Sequence, residues 1–166
     1  MKHFLVTPKD LQRLHDYYKS QNYIPFFRHF PKNLPLTTFI QATKLFGGFF
    51  KIVDEEKTLS YIFATVNPLL KTVYPGILVP NKYSNKGNAL KSMQYLMKEC
   101  FKDPNIEQAL AVVSSDEPRV NKLLKASIFT LDSVLTNNCI YNNKYHNENR
   151  YILTKETYNN QYNKDK

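Results

Sequence analysis

The chain has 166 residues, enough for one domain with a sizeable core, and 42% are hydrophobic and 14% aromatic, which excludes a disordered polymer. It has no run of about 18 apolar residues that would span a membrane, its opening "MKHFLVTPKDLQRLH" turns polar too early for a secretory signal, and two cysteines, Cys100 and Cys139, are too few for a disulfide scaffold or a closed zinc site. A cytoplasmic protein with reduced thiols is expected.

The formal net charge of +9 invites a polyanion: nucleic acid, a phosphorylated cofactor or an acidic protein. Against nucleic acid stands the scarcity of arginine (Arg13, Arg28, Arg119 and Arg150), the preferred fork for phosphates and guanine edges. Abundant Lys, Asn, Tyr, Ile and Phe are the residues of AT-rich codons, so coding bias accounts for part of the charge without any partner.

In chain order, "HFLV" (3–6) is expected to be a short strand. Thr7 caps the next helix, with Pro8 at its first position, Asp10 in its first turn, and Leu11, Leu14 and Tyr18 on one face. The proline-punctuated, aromatic segment 23–35 reads as irregular cover for the core, and a second helix is expected at 36–45, before Gly47-Gly48. Residues 48–66 read as two strands joined by the polar turn Asp54–Lys57. "TVYPGILVP" (72–80) is a strand with a fault, because Pro75 has no N–H to donate and Gly76 has no side chain.

Helical spacing of Leu90, Met93, Met97, Cys100 and Phe101 predicts an amphipathic helix over 89–102. "EQALAVVSS" (107–115) reads as a buried strand, Ser115, Asp116 and Pro118 as a helix start, and Val120, Leu123, Leu124 and Ile128 as that helix's apolar face. "FTLDSVLT" (129–136) and "RYILTKE" (150–156) are expected to be a final strand pair separated by an Asn/Tyr-rich loop at 137–149. The expected domain is 1–156, followed by a frayed polar tail at 157–166. This order points to a single-domain α/β (α+β) fold, a mixed and mainly antiparallel sheet flanked by helices on both faces.

The stretch "VPNKYSNKGNALKSMQYLM" (79–97) carries the clearest chemistry. A small-residue loop with Lys82 and Lys86 runs into a helix at Gly87-Asn88-Ala89. Backbone N–H groups there can approach an anion, and the positive end of the helix dipole favours one. The loop is neither a P-loop nor a dinucleotide fingerprint. It resembles the signature loop of the GNAT N-acetyltransferase superfamily, in which Gln or Arg, two residues, Gly, one residue and then Gly or Ala cradle the pyrophosphate of acetyl-CoA. Here the positions read Ser84-Asn85-Lys86-Gly87-Asn88-Ala89. "VNKLLKASIF" (120–129) is similar to the family's last helix and following Gly-Phe, with Ile128 in the glycine's place.

The resemblance covers 48–155 and implies an acyl-CoA-dependent N-acetyltransferase acting on an unidentified amine. Acetyl-CoA is the implied co-substrate, lying between splayed strands four and five. Ser84–Ala89 are implied to hold its pyrophosphate, and backbone N–H groups of Ile77, Leu78 and Val79 its thioester carbonyl. Two positions depart from the pattern. The usual tyrosine acid aligns near Leu124, and the usual carboxylate base falls at Tyr74-Pro75. Tyr74, Ser114 and Ser115 are the remaining candidate proton carriers on neighbouring strands, although core packing and helix capping also explain those residue types. Asp116 and Glu117 are candidates to attract a cationic substrate. The four histidines are scattered, so no metal is expected. Two rivals remain: a catalytically degenerate GNAT-fold binding protein, and a GNAT-like nucleic-acid-modifying protein of a phage or other mobile element. The oligomeric state is unreadable from the sequence.

Overall fold

The computed structural model describes residues 2–20, 34–45, 50–54, 57–80, 86–141 and 144–162. In chain order the elements are β1 (Lys2–Leu5), α1 (Pro8–Ser20), α2 (Leu36–Leu45), β2 (Phe50–Asp54), β3 (Lys57–Asn67), β4 (Thr72–Leu78), α3 (Asn88–Cys100), β5 (Gln108–Ser114), α4 (Pro118–Ala126), β6 (Thr130–Tyr141), β7 (Lys144–Thr154) and α5 (Lys155–Tyr162). Neighbour by neighbour, the seven strands hydrogen-bond in the order β1-β2-β3-β4-β5-β7-β6. β4 and β5 pair in parallel, whereas β1 with β2, β2 with β3, β5 with β7 and β6 with β7 are antiparallel. The sheet is therefore mixed and mainly antiparallel, as expected.

The chain forms two compact units, Met1–Thr65 with Gly76–Ser92, and Val66–Pro75 with Met93–Lys166. It passes from one to the other inside β3, β4 and α3, so no linker marks the division.

In the first unit, α1 begins on a reciprocal cap. The Thr7 N–H and hydroxyl donate to Asp10 Oδ2 at 2.9 and 2.7 Å, and the Asp10 N–H donates back to Thr7 Oγ1 at 3.3 Å. Lys51 of β2 closes the network on the same carboxylate oxygen at 2.9 Å. Leu14, Leu34, Phe39, Tyr61, Phe63 and Leu78 form the core, with Val6, Leu11 and Tyr17 against it. α2 spans the expected residues. Gly47 and Gly48, most of segment 23–35 and the turn residues Glu55 and Glu56 lie outside the described residues.

Gly76 has a specific cause. A Cβ there would overlap the tip of the Phe63 ring, which is 3% exposed and packed in the core. The expected fault in β4 takes the form of a short ladder: β4 pairs with β5 only at Thr72↔Gln108 and Val73↔Ala109, and the pairing stops before Pro75.

In the second unit, β5 is sandwiched by pairing and buried through Ala109 and Val113, with Leu153 and Tyr151 of β7 beside it. Two expectations change here. Residues 137–149 are not a loop: β6 and β7 run through them as a long hairpin, with only 142 and 143 outside the described residues. Asparagines, poor strand formers on average, are accommodated by a register shift between Leu135 and Cys139. Asn137 takes φ 51°, and its N–H is satisfied by the Asn147 side chain at 3.0 Å. Nor is 157–162 a frayed tail. Thr154 caps α5 through the Thr157 N–H at 3.1 Å, and Tyr158 packs on Phe101 with ring centroids 5.1 Å apart. Tyrosine rings gave this helix a packing surface that its polar composition concealed.

Candidate functional site

The loop-to-helix junction lies in the first unit. Gly87 stands at φ 73°, a left-handed conformation that favours glycine, and a Cβ added there would have nothing within 4 Å. Its carbonyl accepts the Lys91 N–H at 3.1 Å, which makes it the residue that opens α3. The N–H groups of a first helical turn have no carbonyl to meet inside the helix, so they face outward with the positive dipole end. Lys86 and Lys91 are exposed beside this end, while Asn88 is buried and Ala89 half-buried. Ser84 and Asn85 lie outside the described residues. Upstream, Ile77 and Val79 are half-buried and Leu78 is part of the core, so the Leu78 side chain is committed to packing.

The candidate proton carriers lie in the second unit. Tyr74 is half-buried on β4, just past the end of its ladder with β5. Ser114 is 4% exposed, and its Oγ accepts the Asp116 N–H at 3.3 Å. Ser115 is exposed and donates its hydroxyl to the Asn147 carbonyl at 3.1 Å. Both serines thus shape the turn from β5 into α4. Leu124, near which the resemblance places a tyrosine acid, is 2% exposed and belongs to the core.

The structure adds residues that the sequence did not single out. Asn121 ties the turn together: its amide donates to the Ser114 and Glu117 carbonyls at 2.9 and 2.8 Å, and its Oδ1 accepts from Asn149 and the Tyr151 hydroxyl at 2.7 and 2.9 Å. His146 Nδ1 pairs with Asp116 Oδ2. Glu148 is fully buried opposite Ser114 in the β5–β7 register, and its Oε2 accepts the Asn138 amide at 2.6 Å. Burial raises the proton affinity of Glu117 against the opposing pull of Arg119, with a smaller push from the Asp116 charge. No local motif foretold the contacts of Asn121 with Asn149 and Tyr151, of His146 with Asp116, or the placing of Glu148 opposite Ser114, because these join residues distant in sequence.

Outward N–H groups at the Gly87 junction are of the kind that meets an anion. In the second unit, the β5–α4 turn and β7 carry hydroxyl, carboxylate and imidazole groups of the kind that exchange a proton. Cysteine chemistry is disfavoured at Cys100, whose thiol is pushed up to about 12 by burial and then by the Glu99 charge. Among the described residues, no three His, Cys, Asp or Glu side chains are placed to hold a metal ion. No helix among them is long and apolar enough to cross a membrane.

No protein-family model and no curated protein sequence matches the chain. Solved structures do. Spermidine N-acetyltransferase from Vibrio cholerae, in complex with CoA and spermine, superposes with a TM-score of 0.82 at 14% identity, over 95% of this chain and 96% of that one. A phenylalanine-to-alanine mutant of the Vibrio cholerae enzyme gives 0.79 at 16% identity, over 97% and 99%. RimL, a ribosomal L7/L12 alpha-N-protein acetyltransferase in complex with coenzyme A, gives 0.78 at 16% identity, over 93% and 94%. At these identities the likeness is one of fold.

Proposed function

We propose that this chain, which has the fold of the GNAT N-acetyltransferases, moves an acetyl or related acyl group from acyl-CoA to an amine. The observation that carries the reading is Gly87: a left-handed glycine with open space above it, opening a helix after β4. Lys86, Gly87, Asn88 and Ala89 would receive the pyrophosphate, together with Ser84 and Asn85. Backbone N–H groups of Ile77–Val79 would polarise the thioester carbonyl. CoA is bound in two of the similar structures, which supports acyl-CoA as co-substrate. Tyr74, Ser114 and Ser115 are the proposed proton carriers, and acetyl-CoA in the cytoplasm the proposed donor.

Calorimetric titration of acetyl-CoA and CoA tests the reading, with Gly87→Ala and Gly87→Glu as partners. Alanine adds strain at φ 73° but no clash, whereas glutamate also sets a negative charge before the cradle. Micromolar binding that weakens modestly in the first variant and at least tenfold in the second supports the site. Equal binding by all three proteins would move the pyrophosphate elsewhere, and no binding by the parent would end the acyltransferase reading. The rival binding-protein reading draws on buried Leu124; release of free thiol from acetyl-CoA in the presence of an amine would exclude it.

A further inference from the structure

We propose that the second unit carries both halves of a contact between copies of this chain. One half is an apolar knob at the β3–β4 turn, the other an apolar stripe on the β6–β7 hairpin, and in a two-fold dimer each knob covers the other copy's stripe. Among the described residues of that unit, the exposed large hydrophobics fall into these two groups alone.

The knob is built rigid. Leu69 is 93% exposed, with Leu70 and Val66 exposed beside it. A single exposed leucine is ordinary, but these sit on a turn tied at every step. The Asn67 side-chain oxygen accepts the N–H groups of Leu69 and Leu70 at 3.1 and 3.2 Å, and the Lys71 N–H donates to the Pro68 carbonyl at 3.3 Å. The Thr72 hydroxyl donates to the Leu70 carbonyl at 2.8 Å, and the Glu107 N–H to the Lys71 carbonyl at 2.9 Å. A tip held in this way has little conformational entropy left to lose on docking.

The stripe is flat. Ile140 pairs with Tyr145, Val134 with Asn149 and Leu131 with Tyr151. Directly opposed residues share a face, and steps of two along β7 return to it. Leu131, Val134, Ile140 and Tyr145 therefore lie on one face of the hairpin, each about half exposed or more.

Three observations favour a second copy as the occupant. Each feature has a neutral rim, Lys71 with Glu107 at the knob and Arg150 with Asp132 at the stripe, both pairs exposed. One acid and one base beside each apolar centre leave neither surface a net charge to repel the other. The second unit also holds 11 Lys and Arg against 9 Asp and Glu, only +2 of the chain's +9. Copies meeting there avoid most of the charge that would keep them apart. Finally, the β4–β5–β7–β6 order sets the two features three strand spacings apart, about 14 Å, so a two-fold axis can join both pairs at once. That reciprocity doubles an area that one knob alone would leave small for a stable interface. A lipid surface fits less well, because two leucines anchor weakly without a basic patch and Lys71 is already paired with Glu107.

The test is sedimentation equilibrium of the full chain beside two double variants, Leu69→Ser with Leu70→Ser and Val134→Thr with Ile140→Thr. These neutral replacements at exposed positions should leave the melting temperature unchanged; where a double variant melts lower, its single substitution Leu69→Ser or Ile140→Thr takes its place. The parent should form a dimer, and each variant alone should self-associate at least tenfold more weakly. An equimolar mixture of the two should fall between, because one intact knob still meets one intact stripe. Dimers that survive the knob change but not the stripe change would point to edge pairing of β6 and overturn the inference. So would dimers that survive only the stripe change, or a mixture no stronger than its components. A parent that stays monomeric would overturn it as well, and binding to phosphatidylcholine–phosphatidylserine vesicles that is lost with Leu69 and Leu70 would then assign the knob to a lipid surface.

Discussion

Ile128 offers a measurement in which backbone and side-chain effects separate. α4 ends in a Schellman motif: the Ile128 N–H donates to the Lys125 carbonyl at 3.1 Å and the Phe129 N–H to the Leu124 carbonyl at 3.0 Å. That closure requires a left-handed residue, and a β-branched isoleucine takes it at φ 61°. The conformation costs an L-residue about 1–2 kcal/mol. Glycine escapes that strain but loses about 0.4–1 kcal/mol through its freer unfolded chain. Glycine should therefore beat alanine at this position by about 0.5–1 kcal/mol, the reverse of their order inside a helix. Ile128 is half-buried, so losing its side chain costs about 1 kcal/mol. Ile128→Gly should then lie near the parent and Ile128→Ala below both. Urea unfolding with a shared slope measures the gap, and thermal melting should echo it as about 2–3 °C. An alanine variant as stable as the glycine variant would refute the claim that the left-handed turn is strained.

Asp10 gives a pH-dependent counterpart. Burial alone would raise its proton affinity, but the Thr7 N–H, the Thr7 hydroxyl and Lys51 outweigh it and hold the carboxyl below its usual range. A depressed folded value contributes stability that is present above about pH 4 and lost as pH falls through that folded value. Asp10→Asn should thus cost about 1–2 kcal/mol at pH 7, and its gap from the parent should narrow steadily as urea melts are taken below about pH 4; a gap of constant size would sink the assignment. At Gly76, alanine must displace the buried Phe63 ring. It should destabilise by about 1–3 kcal/mol, and an unshifted melting curve would show that the ring can yield.

The elements with local causes were legible. Thr7, Pro8 and Asp10 announce α1 because a cap needs a short side chain, a fixed φ and an acid within one turn. The break in the β4–β5 ladder follows from one residue that cannot donate. Gly87 pointed to the helix opening because few other residues tolerate its φ. The β6–β7 hairpin and α5 were missed because asparagine and tyrosine acquire their structure from partners far along the chain.

By itself, then, the sequence determined the order of helices and strands as far as β7, the fault in β4 and the glycine that opens α3, since each depends on a few adjacent residues. Only the tertiary structure decided that Ser114 and Ser115 are held in hydrogen bonds, that Asn121 joins β5, α4 and β7, and that Glu148 is buried opposite Ser114. The Ser115–Asn147, Asn121–Tyr151 and Ser114–Glu148 relations join residues thirty or more positions apart and depend on β5–β7 pairing. Strand register is a cooperative choice of the whole sheet, and no short window of sequence contains it.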